Sequence, residues 1–528
     1  MKQGILVSRV SDPVRTALWV VVFAVLATSL GFGQVKLNTW TSPSQGQAGA
    51  TQVTATGSAF PTGTINASSV TVSVGSTCMG TALATTTASK VTKLIGTSYK
   101  VQFLIPASLT QATDQVWING STTGGTKFSS TNCSSMKVLP PVTTLSSCLP
   151  SSSLGVLLPA SGTGNVTAYV PNGAWDSSGT GIQVVPLEGS GTVGSVSTVN
   201  AVNSCASNSA TGQSVCTANN TDVYLLTGST LNKTLTSGAT TFAGFSGGSC
   251  ENCGVSINAL TNQAVLTIGI SGSPTASGLQ ILNLSSNTFG TPFSASNIVS
   301  ENVQWDPVRN LILSPGENGI YDLFDTSTST LKEYGMSVGG VLDSAAEDCT
   351  TGIALSTSEF TGNLFISDLT QAKLTSGSPG TWTAPGQTVN FPEFDNFSAG
   401  TSGMAVAPGS HNAIVAGEFG GNQFGVVVLP STSGSGTPSF GDYAAATVPN
   451  TPDGFTWSQG LDPHTITAYV SPNNARPYGV MANSPPPTWL VVVDLQALLS
   501  APRISGTHTV DPTYDLVANG VVRFVATH

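Results

Sequence analysis

The stretch Phe365-Ile366-Ser367-Asp368-Leu369 is a short apolar run that closes at an aspartate and passes into a turn. It decides the fold because runs of this form recur along the chain at intervals of roughly 40 to 65 residues, the spacing of stacked β-sheet blades. The other runs are Val184-Val185-Pro186-Leu187, Tyr224-Leu225-Leu226-Thr227, Ile281-Leu282-Asn283-Leu284, Leu323-Phe324-Asp325, Val427-Val428-Leu429-Pro430 and Val492-Val493-Asp494-Leu495. The chain is therefore predicted to be all-β.

Each repeat adds shorter strands around its apolar run. One unit opens with Val303-Gln304-Trp305 and continues, after a turn, with Asn310-Leu311-Ile312-Leu313. Three to four strands per unit predict a β-propeller over residues 153–528 with about seven blades, and six or eight blades also fit the uneven unit lengths. The last strand, Val521-Val522-Arg523-Phe524-Val525, is expected to complete the first blade and so remove an exposed edge. The Asp or Asn that closes each run is interpreted as a turn cap.

The chain before the propeller has a different pattern. Apolar and polar residues alternate in Ser69-Val70-Thr71-Val72-Ser73-Val74 and in Tyr99-Lys100-Val101-Gln102-Phe103-Leu104-Ile105, with Gly, Pro and Ser turns between the pieces. This predicts an Ig-like β-sandwich over residues 35–141, followed by a Pro- and Ser-rich linker at residues 142–152.

Two family resemblances extend these interpretations. The segment from Ser42 to Phe60 contains a Pro-Ser-Gln-Gly turn and ends in Thr-Gly-Ser-Ala-Phe, and it resembles the opening of IPT/TIG-type immunoglobulin-like domains. The pieces Thr167-Ala168-Tyr169-Val170-Pro171-Asn172 and Thr467-Ala468-Tyr469-Val470-Ser471-Pro472-Asn473 resemble YVTN-type and lactonase-like propeller repeats, and Trp305-Asp306-Pro307-Val308-Arg309-Asn310 resembles NHL-type blades. The resemblance implies the fold, whereas propellers of these kinds include surface proteins, lactone hydrolases and binding scaffolds.

Composition narrows the class of partner. Only 8% of the residues are charged, the net charge is −10, and the 16 Lys and Arg residues form no cluster. A nucleic acid would therefore find no basic surface for its phosphates. Nucleic acid is excluded as a partner, and an unknown extracellular ligand, polymer or protein is expected.

Residues 1–33 have the form of an export signal. Lys2, Arg9 and Arg15 precede an apolar run from Ala17 to Ala27, and small residues lie before Gln34. The protein is therefore expected to be secreted or held at the cell surface. An uncleaved N-terminal membrane anchor is the alternative.

Eight cysteines in an exported chain favour disulfides. Proximity in sequence or in predicted domain favours the pairs Cys78 with Cys133, Cys205 with Cys216, and Cys250 with Cys253, leaving Cys148 and Cys349 over. The Cys250-Glu251-Asn252-Cys253 motif lacks the βαβ context of a redox site, so a structural loop is the preferred interpretation.

One polar pattern is relevant to chemistry. Acidic and Asn side chains recur near the predicted inner strands, where propeller loops converge on a channel mouth. The candidate metal ligands are Glu301, Asn302, Glu347 and Asp348, with His464 as a candidate base. Carboxylate and amide oxygens suit Ca²⁺, which could polarise a carbonyl. Ordinary solvated turn residues are the competing interpretation.

These sequence features lead to two hypotheses of function. The leading prediction is a non-catalytic binding or structural protein at the cell surface or outside the cell, with no catalytic residue assigned. The alternative is a metal-assisted lactone or ester hydrolase at the channel mouth.

Overall fold

The computed structural model divides the chain into two compact units, Met1–Val142 and Thr143–His528. It describes residues 33–47, 52–106, 108–109, 112–139, 154–159, 163–173, 179–218, 222–236, 254–269, 277–296, 302–328, 330–397, 400–417, 422–431, 433–434, 436–454, 461–483 and 487–527. The predicted export signal therefore lies almost wholly outside the described residues. Among these residues no helix has the length and apolarity that a membrane crossing requires.

The first unit contains ten strands around one core. They are β1 (Gly33–Leu37), β2 (Trp40–Gln47), β3 (Gln52–Ser58), β4 (Val70–Gly75), β5 (Ala84–Thr87), β6 (Lys90–Lys93), β7 (Tyr99–Leu104), β8 (Ala112–Ser121), β9 (Lys127–Ser130) and β10 (Ser134–Leu139). Hydrogen bonds link all ten into one network. Alternation places Tyr99, Val101 and Phe103 of β7 in the core while Lys100 faces solvent, which is the period of a half-buried strand.

The second unit is a β-propeller, and its first sheet has seven strands. They are β11 (Gly155–Leu157), β12 (Val166–Pro171), β13 (Thr180–Glu188), β14 (Gly194–Asn208), β15 (Gln213–Ala218), β16 (Asp222–Thr227) and β17 (Thr230–Thr236). Strand β14 runs unbroken for 15 residues. Its first half pairs with β13 and its second half pairs with β15.

Five separate antiparallel blades follow. The first contains β18 (Val255–Asn258), β19 (Gln263–Gly269), β20 (Ser277–Asn283), β21 (Thr288–Phe289) and β22 (Phe293–Ser294). The second contains β23 (Gln304–Asp306), β24 (Leu311–Pro315), β25 (Ile320–Asp325) and β26 (Lys332–Ser337). The third contains β27 (Leu342–Asp348), β28 (Ile353–Ser358), β29 (Asn363–Asp368) and β32 (Gly386–Asn390), and its insertion β30 (Lys373–Thr375) and β31 (Gly380–Thr383) adds to the second blade.

The last two blades have four strands each. The fourth contains β33 (Gly403–Ala407), β34 (Asn412–Ala416), β35 (Gln423–Val428) and β36 (Tyr443–Thr447). The fifth contains β37 (Leu461–Val470), β38 (Pro477–Asn483), β39 (Trp489–Asp494) and β40 (Val522–Ala526), with a short helix α1 (Leu495–Leu499) after β39.

The described residues of the propeller thus form five separate blades besides the seven-stranded sheet, and the expectation of about seven blades was wrong. The reason lies in β14, where no Gly or Pro interrupts the segment from Ser195 to Asn208, so two predicted repeats share one strand. The predicted ring closure was also wrong. Strand β40 pairs with β39 of its own blade, through contacts such as Val491 with Phe524, and does not complete the first sheet.

All seven apolar runs begin in strands that are hydrogen-bonded on both sides, and four of them end just past the strand. Residues of such strands face neighbouring sheets in both directions, which explains why the runs are continuously apolar instead of alternating. Apolar packing also closes the ring, because Leu154, Val166 and Val185 share a core with Val480 and Leu490 of the fifth blade.

Two of the predicted disulfides are confirmed. Cys78 bonds Cys133, and Cys205 bonds Cys216. Cys349, expected to be left over, is also disulfide-bonded, and the predicted pair Cys250 with Cys253 lies outside the described residues. Disulfides indicate an oxidising, extracellular environment.

The disulfide within the seven-stranded sheet is expected to stabilise the propeller substantially. Cys205 and Cys216 are directly opposite each other on β14 and β15, and both are fully buried. Replacing both with Ala removes an 11-residue cross-link and is expected to lower the free energy of unfolding by about 3 kcal/mol. Urea unfolding monitored by fluorescence measures the loss. The matched double replacement of Cys78 and Cys133 should destabilise the first unit instead, and an unchanged urea midpoint for the Cys205 and Cys216 variant would contradict the prediction.

Candidate functional site

Polar side chains cap the ends of the inner strands β14, β18, β23 and β27. Asn258 Oδ1 accepts hydrogen bonds from the backbone N–H groups of Leu260 and Thr261 at 3.0 and 3.2 Å, and Asp306 Oδ1 accepts from Val308 and Arg309 at 2.9 and 3.0 Å. Asn208 and Asp348 cap in the same way. These Asp and Asn side chains therefore fold the turn between the first and second strands.

The Asp and Asn residues that close apolar runs are also caps, as the sequence predicted. Asp368 Oδ1 accepts from Thr370 N at 2.9 Å, and Asp494 Oδ1 accepts from Ala497 N at 2.9 Å. Asn283 and Asp325 accept from backbone N–H groups two residues later. These positions have a structural role.

The structure separates the described members of the predicted metal site. Asn302 lies before β23 and donates from Nδ2 to Ser344 Oγ, near the beginning of β27, at 3.3 Å. Glu347 and Asp348 lie at the opposite end of β27. Three residues of a strand span roughly 10 Å, too far for ligands of one ion. Glu301 lies outside the described residues, and His464 is within β37 with a side chain that is not described.

Glu347 belongs to a buried charge network that the sequence did not reveal. Arg309 Nη1 lies 3.0 Å from Asp306 Oδ2 and 3.3 Å from Glu347 Oε1, and both carboxylates are fully buried. Gly352 leaves room for this arginine, since a Cβ at that position would lie 2.3 Å from the guanidinium. Burial raises the pKa of Glu347 well above its usual range, the charge of Asp306 adds to the rise, and Arg309 opposes it.

Asp348 is likewise occupied by internal bonds. Its Oδ2 lies 2.6 Å from His411 Nδ1 of the fourth blade, and its Oδ1 accepts from Thr350 Oγ1 at 2.5 Å. Within the described ranges, no three His, Cys, Asp or Glu side chains converge where they could hold a metal ion. Glu347 and Asp348 thus join neighbouring blades.

An open groove of about 610 Å³ lies where the fifth blade meets the seven-stranded sheet, and we call it the seam groove. It is lined by Thr163, Gly164, Asn165, Leu187, Glu188, Gly189, Ser190, Asn473, Asn474, Tyr478 and Arg523. Its walls come from both sides of the ring closure. The sequence did not reveal the groove because its two walls are about 300 residues apart in the chain.

Glu188 is the central polar group of the seam groove. Its Oε1 accepts from Tyr469 Oη at 2.7 Å, and its Oε2 accepts from Ser471 Oγ at 2.6 Å and from Asn473 Nδ2 at 2.7 Å. Burial first and the Glu188 charge second raise the pKa of Tyr469 far above its usual range, so this tyrosine remains a donor. Arg523 of β40 donates to Leu187 O of β13 at 2.9 Å, so this bond also crosses between the two walls.

A second polar cluster fastens the segment after α1 to the fourth blade. Arg503 donates to both carboxylate oxygens of Asp442 at 2.8 and 2.7 Å. The His508 N–H donates to Glu393 Oε1 at 2.8 Å, and the Tyr443 hydroxyl donates to Glu393 Oε2. Hydrogen bonds from Arg503 hold the pKa of Asp442 below its usual range. For Glu393, burial acts to raise the pKa, but hydrogen bonds from His508 and Tyr443 lower it overall.

This cluster predicts a loss of stability in acid. A carboxyl with a depressed pKa stabilises the fold above its unfolded pKa, near 4, and loses that effect as the pH falls through its folded value. The melting temperature, measured between pH 7 and pH 2.5, should therefore fall as the pH drops below about 4. Asp442→Asn should lower the free energy of unfolding by at most about 1 kcal/mol at pH 7, because the Asp442 side chain is 51% exposed. The same variant should show a smaller fall in melting temperature below pH 4. A melting temperature that falls as steeply below pH 4 in the variant as in the parent protein would contradict this assignment.

Comparison with known proteins adds little to these observations. No protein-family model matches the sequence, and no curated protein is detectably similar to it. A chain in the crystal structure of the mitotic checkpoint complex has 12% identity and a TM-score of 0.41, over 62% of this chain and 86% of that chain. The β-propeller domain of Cps50 (Swd1) from Myceliophteria thermophila has 7% identity and a TM-score of 0.37, over 54% of this chain and 80% of that one. The propeller assignment rests on the sheet topology described above.

Proposed function

We propose that the protein is an exported, non-catalytic binding protein and that the seam groove takes a neutral saccharide chain. The observation that carries the proposal is the lining of the groove, where Asn165, Asn474 and Ser190 present amide and hydroxyl groups around a rigid carboxylate. An amide offers a donor and an acceptor on one planar group, which matches the hydroxyls of a sugar ring.

The groove is rigid enough to select a ligand. Asn165 accepts from Ser190 N at 3.2 Å, and Asn474 accepts from Arg476 N at 3.0 Å while it donates to Tyr478 Oη at 3.0 Å. Side chains fixed in this way lose little rotamer entropy when they bind. An open groove also admits a polymer chain that extends beyond it at both ends.

The N-terminal unit is proposed to be an Ig-like module of the IPT/TIG type that serves as a spacer or a second recognition surface. Its support is the Ser42–Phe60 resemblance together with the alternating strands that enclose one core. We also propose that the propeller repeats are of the YVTN and NHL types, because their turn motifs resemble those of these families.

Affinity electrophoresis in gels that contain starch, xylan, β-glucan or galactomannan tests the saccharide proposal. At least one polymer should retard the protein, and Asn165→Ala combined with Asn474→Ala should abolish the retardation. Asn232→Ala is the matched control, because Asn232 is exposed on β17, away from the groove. Migration that no polymer alters, or retardation unchanged in the double variant, would overturn the proposal.

The competing hydrolase proposal needs Glu301, Asn302, Glu347 and Asp348 around one Ca²⁺ ion. The separation of Asn302 from Glu347 and Asp348 weighs against it. Ca²⁺-dependent hydrolysis of lactones or phenyl esters that is lost in Glu301→Ala would revive it. The same assay without product formation would favour the binding role.

A further inference from the structure

A second depression lies beside the seam groove on the fifth blade, and we call it the helix pocket. It encloses about 550 Å³ between α1 and the segment before β40. Its polar lining includes Gln496, Ser500 and Asn519, and its aromatic lining is Tyr514. Asn519 Nδ2 donates to Asp515 O at 2.7 Å, which fixes the amide so that its Oδ1 can accept from a ligand hydroxyl. The helix pocket thus repeats the amide and hydroxyl chemistry of the seam groove.

The helix pocket supplies an aromatic platform of a kind that the seam groove lacks. Tyr478 is the one aromatic residue among the described residues that line the groove, and its ring is already engaged. The guanidinium carbon of Arg523 lies 5.7 Å from its ring centroid, and the Tyr469 ring centroid lies 5.6 Å away. Tyr514 is half-buried against the core shared by the fourth and fifth blades, so a fixed ring borders the pocket. The C–H groups of a sugar ring carry partial positive charge and pack on the negative face of such a ring.

The helix pocket and the seam groove adjoin along two short pieces of chain. The loop between β37 and β38 carries Asn474, which lines the groove, and Arg476, which lines the pocket. Val521 lines the pocket and Arg523 lines the groove, and two residues of chain span at most roughly 7 Å. The loop is held in place, because Arg476 N donates to Asn474 Oδ1 at 3.0 Å and Arg476 Nε lies 2.6 Å from Asp494 Oδ2. A ligand chain that follows this surface can therefore occupy both depressions.

The charges around the helix pocket favour a neutral ligand. The Asp494 carboxylate compensates the charge of Arg476, and Asp511 and Asp515 flank Tyr514 in the chain. Both of these carboxylates accept backbone N–H bonds as turn caps, and neither has an ion-pair partner in the described part of the chain. The remaining polar lining consists of amide and hydroxyl groups. A neutral sugar suits this lining, whereas an anionic sugar would be repelled.

We propose, on the basis of the proposed function, that the helix pocket is a second subsite for the saccharide chain in the seam groove. The chain continues over the loop between β37 and β38 and stacks one sugar ring on Tyr514. Two subsites that hold one chain act together, because the second contact is intramolecular once the first has formed. A chain too short to reach both subsites gains no such advantage. The affinity for neutral saccharides therefore rises with chain length until both subsites are filled.

Affinity electrophoresis in gels that contain starch, xylan, β-glucan or galactomannan tests the second subsite. Tyr514→Ala should raise the dissociation constant for a polymer that retards the parent protein by about tenfold, because it removes the stacking ring. Tyr514→Phe keeps the ring and is the matched control, so it should be retarded as the parent protein is. Ser500→Gln fills the pocket from an exposed position and should weaken the retardation as Tyr514→Ala does. If Tyr514→Ala lowers the melting temperature, Ser500→Gln decides the test.

Competition by fragments of the retarding polymer measures the dependence on chain length. Fragments of two and of eight sugar units are added to the gel at equal molar concentration. The eight-unit fragment should release the parent protein from the polymer much more effectively than the two-unit fragment. Tyr514→Ala should lose most of this preference, because its remaining subsite is filled by a short chain. Equal competition by both fragments in the parent protein would contradict a second subsite.

The outcomes separate this proposal from the proposed function. Retardation that Asn165→Ala combined with Asn474→Ala abolishes, but that Tyr514→Ala and Ser500→Gln leave unchanged, would overturn the second subsite and retain the seam groove. Retardation that only the helix-pocket variants abolish would overturn the seam groove as the binding site and, with it, a chain shared between the two. Migration that no polymer alters would overturn both.

Discussion

Replacing Arg309 with methionine is expected to lower the free energy of unfolding of the propeller by about 3–5 kcal/mol at pH 7. The arginine is the cation that lies between Asp306 and Glu347, whose carboxylates are fully buried. Methionine fills a similar volume but leaves two negative charges without a counter-charge. Such a loss is much larger than that of a surface ion pair, because water cannot screen the charges.

The pH dependence of this variant distinguishes charge from packing. Burial raises the pKa of Glu347, so this group favours folding below its unfolded pKa and loses that contribution as the pH rises through its folded value. Without Arg309 the rise in pKa should be larger. The deficit of Arg309→Met should therefore shrink as the pH is lowered, because protonation of Glu347 removes one of the uncompensated charges.

A double-mutant cycle completes the test. Glu347→Gln added to Arg309→Met removes one uncompensated charge and should recover about 1–2 kcal/mol. Urea unfolding of the four proteins at pH 7 gives the coupling. A double variant no more stable than Arg309→Met would show that the arginine acts through its packing alone.

Local sequence patterns predicted the features that short-range forces create. The run from Phe365 to Leu369 marks an interior strand because both of its faces meet neighbouring sheets, and Asp368 caps the turn because its side chain reaches backbone groups two residues away. Such features depend on a few adjacent residues. The cysteine pairs Cys78 with Cys133 and Cys205 with Cys216 were predictable for a related reason, since the two cysteines of each pair lie within one compact unit.

Long-range pairing was not predictable from these patterns. Strand β14 serves two parts of one sheet because nothing in Gly194–Asn208 ends it, and the absence of a breaker is a weak signal. Strand β40 pairs with β39, to which it is joined by a 27-residue connection from Leu495 to Val521. The sequence pattern did not indicate that a connection of this length would return the chain to the same blade. The bonding partners of Glu347 and Asp348, which hold them in structural roles, depend on such distant pairings.

Replacing Glu188 with leucine is expected to lower the free energy of unfolding by about 3 kcal/mol. Three donors converge on this carboxylate, and two of them, on Tyr469 and Ser471, belong to residues that are only 1% exposed. Leucine keeps the bulk of the side chain but leaves these buried hydroxyls without an acceptor. Each orphaned group costs about 1–3 kcal/mol, and solvent near the half-buried Glu188 reduces the total.

The position of Glu188 makes the expected loss specific to ring closure. Glu188 ends β13, whereas its donors lie on or just after β37, so the bonds connect the first sheet of the propeller with its last blade. Glu188→Gln is the matched control: it retains one carbonyl oxygen and should lose about half as much. Urea unfolding and hydrogen exchange measure both variants, and amides of β12 and β38 should lose protection before those of β24. Uniform loss of protection around the ring, or a cost below about 1 kcal/mol, would show that the apolar core shared by Val166, Val480 and Leu490 closes the propeller without help from the carboxylate.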